Sequence, residues 1–173
     1  MQSFFRKEIS GAIDIKKLRN ILPPYCRVAH YDSLMGVKTL REAMRGKTVL
    51  ILLWNIHDKQ RRVLNEPGHF FCISTRGPEP CVVFSSTGMS PKKELFITHS
   101  DPTLLDRILP QGTVYNDKKF QMSKSSNTCW RWTLARAILG HMTLKQFQLL
   151  FNKKIHVDDK DVCIALMTLL ITA

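Results

Sequence analysis

Hydrophobic and polar positions change their spacing along this chain, and each change marks an element. Asp14 caps a helix through "IKKLRNIL", which Pro23-Pro24 stops. Thr39-Leu40-Arg41-Glu42 is a capping box, and Gly46 sits where the short helix it opens would end. "TVLILLW" (Thr48 to Trp54) is an almost unbroken apolar run with β-branched residues, which predicts a strand buried on both faces. After the polar loop "HDKQRRVLNEPG", "HFFCIST" and "PCVVFSS" flank the turn-rich "RGPEP" and read as a hairpin. Alternation puts His69, Phe71 and Ile73 on one face and Phe70 and Cys72 on the other. Asp101 as N-cap and Pro102 at the first helical position open "TLLDRIL", and short strands are expected around "TVYN" and "KFQM".

From Cys129 onward the pattern turns helical. Leu134, Ala135, Ile138, Leu139 and Met142 form one stripe, while Trp130, Trp132 and Ala137 add apolar surface on other sides, so this helix is expected to be central. Thr143-Leu144-Lys145-Gln146 caps another helix, and Asp158 or Asp159 caps a last one. "VCIALMTLLI" (Val162 to Ile171) is too short to span a bilayer and reads as buried. Helices, then strands, then helices imply an α+β domain, with no internal boundary across residues 1–173.

Charge and cysteine usage narrow the partners and the compartment. Lys and Arg total 26 against 14 Asp and Glu, a net charge of +12 spread in small basic clusters. Such a surface attracts polyanions, nucleic acid above all. The five cysteines (Cys26, Cys72, Cys81, Cys129, Cys163) form no CxxC pair, and "MQSFFRKEIS" lacks the apolar run of a secretory signal. Free thiols in a reducing compartment are expected.

The candidate chemistry centres on "SSNTCWRWTLARA" (Ser125 to Ala137). Four small polar residues lead into Cys129 where the helix begins, and a helix N-terminus favours a thiolate and a developing oxyanion. His69, directly after "EPG" at the start of a core strand, is the best base among six histidines; the others read as surface or structural. Gln121 in "KFQMSKSSNTC" offers an amide N–H as a second oxyanion donor. Cys72, Cys81, His57 and His69 lie close in sequence, but their spacing fits no standard zinc pattern.

The ordered set of a buried strand, "GHFF", "CVVFSSTG" and a Gln shortly before "NTC" resembles the adenain-like cysteine proteases. These are maturation proteases of adenoviruses, virophages and related DNA viruses, in a clan that includes the SUMO-specific proteases. "HYDSLMG" (His30 to Gly36) extends the resemblance, which covers Tyr31 to Leu139. It implies a papain-like α+β fold, with a central mixed sheet, a buried helix starting at the nucleophile, and flanking helices. By position it implies Cys129 as nucleophile, His69 as general base and Gln121 as oxyanion donor. The family's acidic residue or Asn at the end of the second hairpin strand falls on Ser85, whose hydroxyl can fix the imidazole tautomer without charge. Asn65, Glu66 or another residue is the alternative for that role. Trp130 replaces the Gly that often follows the nucleophile, and the Gln121–Cys129 spacing is about one residue longer than the pattern.

The resemblance further implies an endopeptidase cutting viral capsid precursors at small residues such as Gly, with Trp54 and Phe70 as candidate groove walls. An enzyme of that kind is expected to act as a monomer in virions and virus factories, to need no cofactor, and to have DNA as an activating polyanion and no membrane partner. Two rival readings are a ubiquitin-like-modifier protease on the same scaffold and a non-enzymatic basic protein that binds nucleic acid or capsid.

Overall fold

The computed structural model describes residues 13–58, 60, 62, 64, 68–121, 127–152, 163, 164, 167 and 168. Asp14 does cap the first helix, α1 (Ile15–Ile21), its carboxylate accepting from the Lys17 N–H at 2.7 Å. β1 (Cys26–His30), a 3₁₀ turn and α2 (Leu40–Met44) follow, then β2 (Val49–Trp54). At α2, Thr39 accepts from the Glu42 N–H while Glu42 reaches back to the Lys38 N–H. The chain leaves that helix through Arg45 and Gly46, both at positive φ. β3 (His69–Ser74) and β4 (Val82–Ser85) form the expected hairpin. Next come α3 (Pro91–Ile97), α4 (Thr103–Ile108), β5 (Val114–Tyr115), α5 (Cys129–Ile138) and α6 (Leu144–Asn152).

The fold is α+β: a mixed five-stranded sheet in the order β1-β2-β3-β4-β5 with several flanking helices. β1 runs parallel to β2 and β4 parallel to β5, while β3 is antiparallel to both β2 and β4. Burial on both faces follows from the apolar β2 run: Val49 and Ile51 enter one core, Leu50, Leu52 and Trp54 the other. The first core lies under α5 and α6 and is rich in aromatics, with Phe120, Trp132, Phe147 and Phe151 in ring contact. The second, under α2, α3 and α4, is mainly aliphatic. β3 serves both, with Phe70 and Cys72 in the first core and Phe71 and Ile73 in the second.

α5 is central, as its apolar surface demands: every residue from Cys129 to Ala137 is buried, Arg131 and Arg136 included. Arg136 donates to the Leu139 and Met142 carbonyls and so closes the helix C-terminus. α6 starts with a reciprocal capping box, Gln146 N–H to Thr143 Oγ1 and Thr143 N–H to Gln146 Oε1. Gly77 in the hairpin turn has φ +116, and a Cβ there would lie 2.4 Å from the Gly140 carbonyl oxygen just beyond α5. Glu79, in the same turn, accepts the Leu144 N–H at the start of α6.

Three details differ from the sequence reading. Pro102, rather than Asp101, takes the N-cap position of α4, while Asp101 accepts the Thr103 N–H. "KFQM" supplies no strand among its described residues: Phe120 plugs the aromatic core, and the Phe120 and Gln121 N–H groups both donate to the Ser86 carbonyl. Helix α3 was not expected at all. Asp158 and Asp159 lie outside the described residues. Among the described residues no helix is long and apolar enough to cross a membrane.

Candidate active site

α5 begins at Cys129, with Thr128 in the N-cap position. The helix is fastened to β3 by Thr133, whose hydroxyl donates to the Phe70 carbonyl at 3.2 Å. The Phe70 N–H in turn points at the Cys129 sulfur, as do the N–H groups of Trp130 and of Cys129 itself. All three favour a thiolate. Burial outweighs them and pushes the Cys129 thiol up to about 11, with the charge of Glu94 adding to the rise. The helix start therefore supplies donors without ionising the thiol in the resting protein. Trp130 turns its ring inward to 8% exposure, with the Arg131 guanidinium 4.3 Å over it.

Cys129 opens onto a small cavity of about 70 Å³ lined by Ile13, Leu53, Gly68, Phe70, Asn127 and Trp130. Phe70 is thus a wall beside the sulfur. Trp54 is not: it is buried, pairs with His69 across β2–β3, and its ring centroid lies 5.4 Å from the imidazole. Gly68 is required by close approach, because a Cβ there would fall 2.3 Å from the Trp54 carbonyl oxygen. The glycine lets the chain enter β3 tight against β2 and so sets where His69 begins.

His69 heads the row that continues to Phe71 and Ile73, while Cys129 sits over Phe70. The two come to the first residues of β3 from opposite sides of the sheet. The imidazole keeps 17% of its side-chain surface exposed. Its Nε2 lies 2.9 Å from Ser85 Oγ. Burial pushes His69 down to about 4.

Ser85 stands at the end of β4, where Asn116 pins its carbonyl by a 2.6 Å bond from Nδ2. Its hydroxyl donates to Glu94 Oε1 at 2.6 Å. Thr87 donates to the same oxygen. Glu94 Oε2 has no hydrogen-bond partner among the described residues and lies 3.8 Å from His69 Nε2. The carboxyl is 3% exposed, and desolvation raises it to about 8 against the pull of the Ser85 hydrogen bond. Ser85 therefore meets His69 as expected, but it does not stand alone: a buried acid lies behind it.

Glu94 is the residue the sequence reading missed. It sits on α3, whose start carries the same N-cap–proline signature that marks α4: Ser90 accepts the Lys93 N–H and Pro91 takes the first turn. Asn65 and Glu66, the alternatives to Ser85, lie outside the described residues.

Gln121 is tied to the same corner through Ser86, whose hydroxyl donates to Gln121 Oε1 at 3.0 Å. That bond holds the amide oxygen against the residue that follows β4. The structure thus joins Ser85 to His69 and Gln121 to the residue after Ser85, and sets Cys129 against the residue after His69. Among the described residues no group of three or more His, Cys, Asp or Glu side chains could hold a metal ion. No protein-family model matches the chain, and no curated protein matches it.

Proposed function

We propose that this protein is a cysteine endopeptidase on an adenain-like scaffold, with Cys129 as nucleophile and His69 as general base. The observation that carries the reading is the His69–Ser85 bond through Nε2. It commits that nitrogen to the fold and leaves Nδ1 to exchange a proton with a thiol at the start of β3. A thiol at about 11 and an imidazole at about 4 rest as a neutral pair. Proton transfer then accompanies attack rather than preceding it.

In the reaction, the Cys129 proton passes to His69 Nδ1 as the sulfur bonds to the scissile carbonyl carbon. The oxyanion collects on the Cys129 N–H and the Gln121 amide. The imidazolium returns the proton to the leaving nitrogen and the C–N bond breaks, leaving a thioester. A water then gives one proton to His69 as its oxygen bonds to that carbon. The C–S bond breaks, the proton returns to sulfur, and the carboxylic acid departs. The small apolar cavity beside the sulfur supports a preference for small residues at the cut, and the resemblance supports viral capsid precursors as substrates. A ubiquitin-like modifier is the alternative substrate on the same machinery. The charge of +12 supports non-specific DNA as a polyanionic partner, with affinity falling steeply with salt.

The test is cleavage of a peptide library carrying small residues, together with alkylation of Cys129 by iodoacetamide near neutral pH. Wild-type protein is expected to cut, and to label at Cys129 faster than at the other four cysteines. Both behaviours should vanish in His69→Ala. Equal labelling of all five cysteines without cleavage would leave only the polyanion-binding reading.

A further inference from the structure

We propose that Glu94 is the acidic partner of His69, joined to it through the Ser85 hydroxyl, so that the imidazole and the carboxyl hold one proton in common. The inference rests on the peptidase reading for its purpose, though not for its geometry. The hydrogen count carries it. Ser85 has one hydroxyl hydrogen, and the 2.6 Å bond assigns it to Glu94 Oε1. Only lone pairs of Ser85 Oγ then face the imidazole, so the hydrogen on this side belongs to His69 Nε2. Nδ1 is left unprotonated, which is the tautomer a base toward Cys129 needs.

The arrangement around Glu94 is also lopsided. Two hydroxyls, Ser85 and Thr87, serve Oε1, whereas Oε2 is buried without a hydrogen bond among the described residues and points to within 3.8 Å of Nε2. A carboxyl held only for stability would be better satisfied on both oxygens, or replaced by an apolar side chain. Among the described residues, the titratable groups that face Glu94 are His69 from β3 and Cys129 from α5. The lysines of its own helix, Lys92 and Lys93, lie on its exposed side, and Lys92 pairs with Asp106 of α4. With the imidazole neutral, the shared proton rests on Glu94, as burial requires. Once Glu94 has released that proton to solvent, its carboxylate is the anion that balances the imidazolium formed when Nδ1 takes a proton. Glu94 touches neither sulfur nor substrate; it is a positioning residue.

The experiment is an NMR titration of the His69 ring nitrogens in the full chain carrying Cys129→Ala, which removes the thiol and any turnover. Two steps are expected, the upper one between pH 6 and 8 as the shared proton leaves. In Glu94→Gln the upper step should disappear and a single low step remain. Ser85→Asp in the Glu94→Gln background should bring an upper step back, because a carboxylate then meets Nε2 directly. Ser85→Ala, which keeps Glu94 but breaks the bridge, should uncouple the two groups. In the protein with Cys129 intact, Glu94→Gln should lower kcat about ten-fold with KM nearly unchanged. Identical titrations of wild type and Glu94→Gln would overturn the proposal even if peptidase activity is present. An upper step lost in Glu94→Gln, in a protein that cuts no peptide, would uphold the shared proton and reject the peptidase reading.

Discussion

His57 and His69 each face a serine hydroxyl and a carboxylate, yet the two rings are set up for opposite ends. At His57, Nδ1 meets Ser100 Oγ at 3.2 Å and Nε2 meets Asp32 at 3.5 Å, so both nitrogens are used. Ser100 is itself occupied, donating to the Asn55 carbonyl and accepting from Thr98. Asp32 keeps 46% of its side chain in solvent. At His69, serine and acid lie on the same nitrogen, Nε2, and the acid is 3% exposed. A ring bonded on both sides staples the loop after β2 to the 3₁₀ turn. A ring bonded through Nε2 alone among the described residues, with a buried carboxyl behind it, fits the base proposed above. A Ser–His–acid triplet is therefore no sign of catalysis until one asks which nitrogen each partner takes.

The largest effect should separate the two rings outright. Cys129→Ala or His69→Ala is expected to cut kcat by at least ~10³-fold with the fold intact by circular dichroism. His57→Gln should leave kcat within about two-fold; a comparable loss there would break the comparison. Gly68→Ala comes next. The new methyl must push β3 away from the Trp54 carbonyl, costing about 1–3 kcal/mol in chemical denaturation and displacing His69 but not His57.

A smaller effect lies in the pH dependence of stability. Glu94 titrates near 4.5 unfolded and about 8 folded, so its contribution is complete below 4.5 and lost as pH rises through 8. His69 titrates near 6.5 unfolded and about 4 folded, so its contribution is present above 6.5 and lost as pH falls through 4. Between pH 4.5 and 6.5 the two oppose each other. Above 6.5 Glu94 acts alone, and stability should fall by up to ~2 kcal/mol by pH 8. Urea denaturation at pH 6.5 and 8 checks this, and Glu94→Gln should flatten the fall. The smallest change expected is the stability cost of His57→Gln itself, about 1 kcal/mol for bonds partly replaced by the amide.

Much of this was legible in the sequence because it rests on local chemistry. Caps at Asp14, Thr39 and Thr143 declare themselves, since a side-chain oxygen three residues before a backbone N–H is a short-range fact. The β2 run and the hairpin are equally local, and Ser85 opposite Phe71, two residues from His69 on the same face, follows from the hairpin register once the turn is placed. Helix α3 escaped notice because its pattern misleads. Leu95, Phe96 and Ile97 are consecutive, and Phe96 and Ile97 are 79% and 55% exposed, so no apolar stripe marks a buried face. Glu94 sits among lysines and reads as solvated; only the pairing of α3 with the end of β4 buries it. The thiolate expected at Cys129 failed for the same kind of reason. Helix-end donors are visible in a sequence, but the desolvation that outweighs them is a property of the packed protein.

The contact of Gly77 with Gly140 bears on how far this molecule can drift in evolution. α5 touches the hairpin at both of its ends, at Phe70 beside Cys129 and at the turn beside Gly140. Its ten residues span about 15 Å, and that rod acts as a gauge block between two fixed stops. One residue more or less in the helix, or in β3 alone, would rotate or slide the sulfur away from Phe70 while leaving every core residue something to pack against. Insertions should therefore gather in the loops beyond the stops and be rare between them.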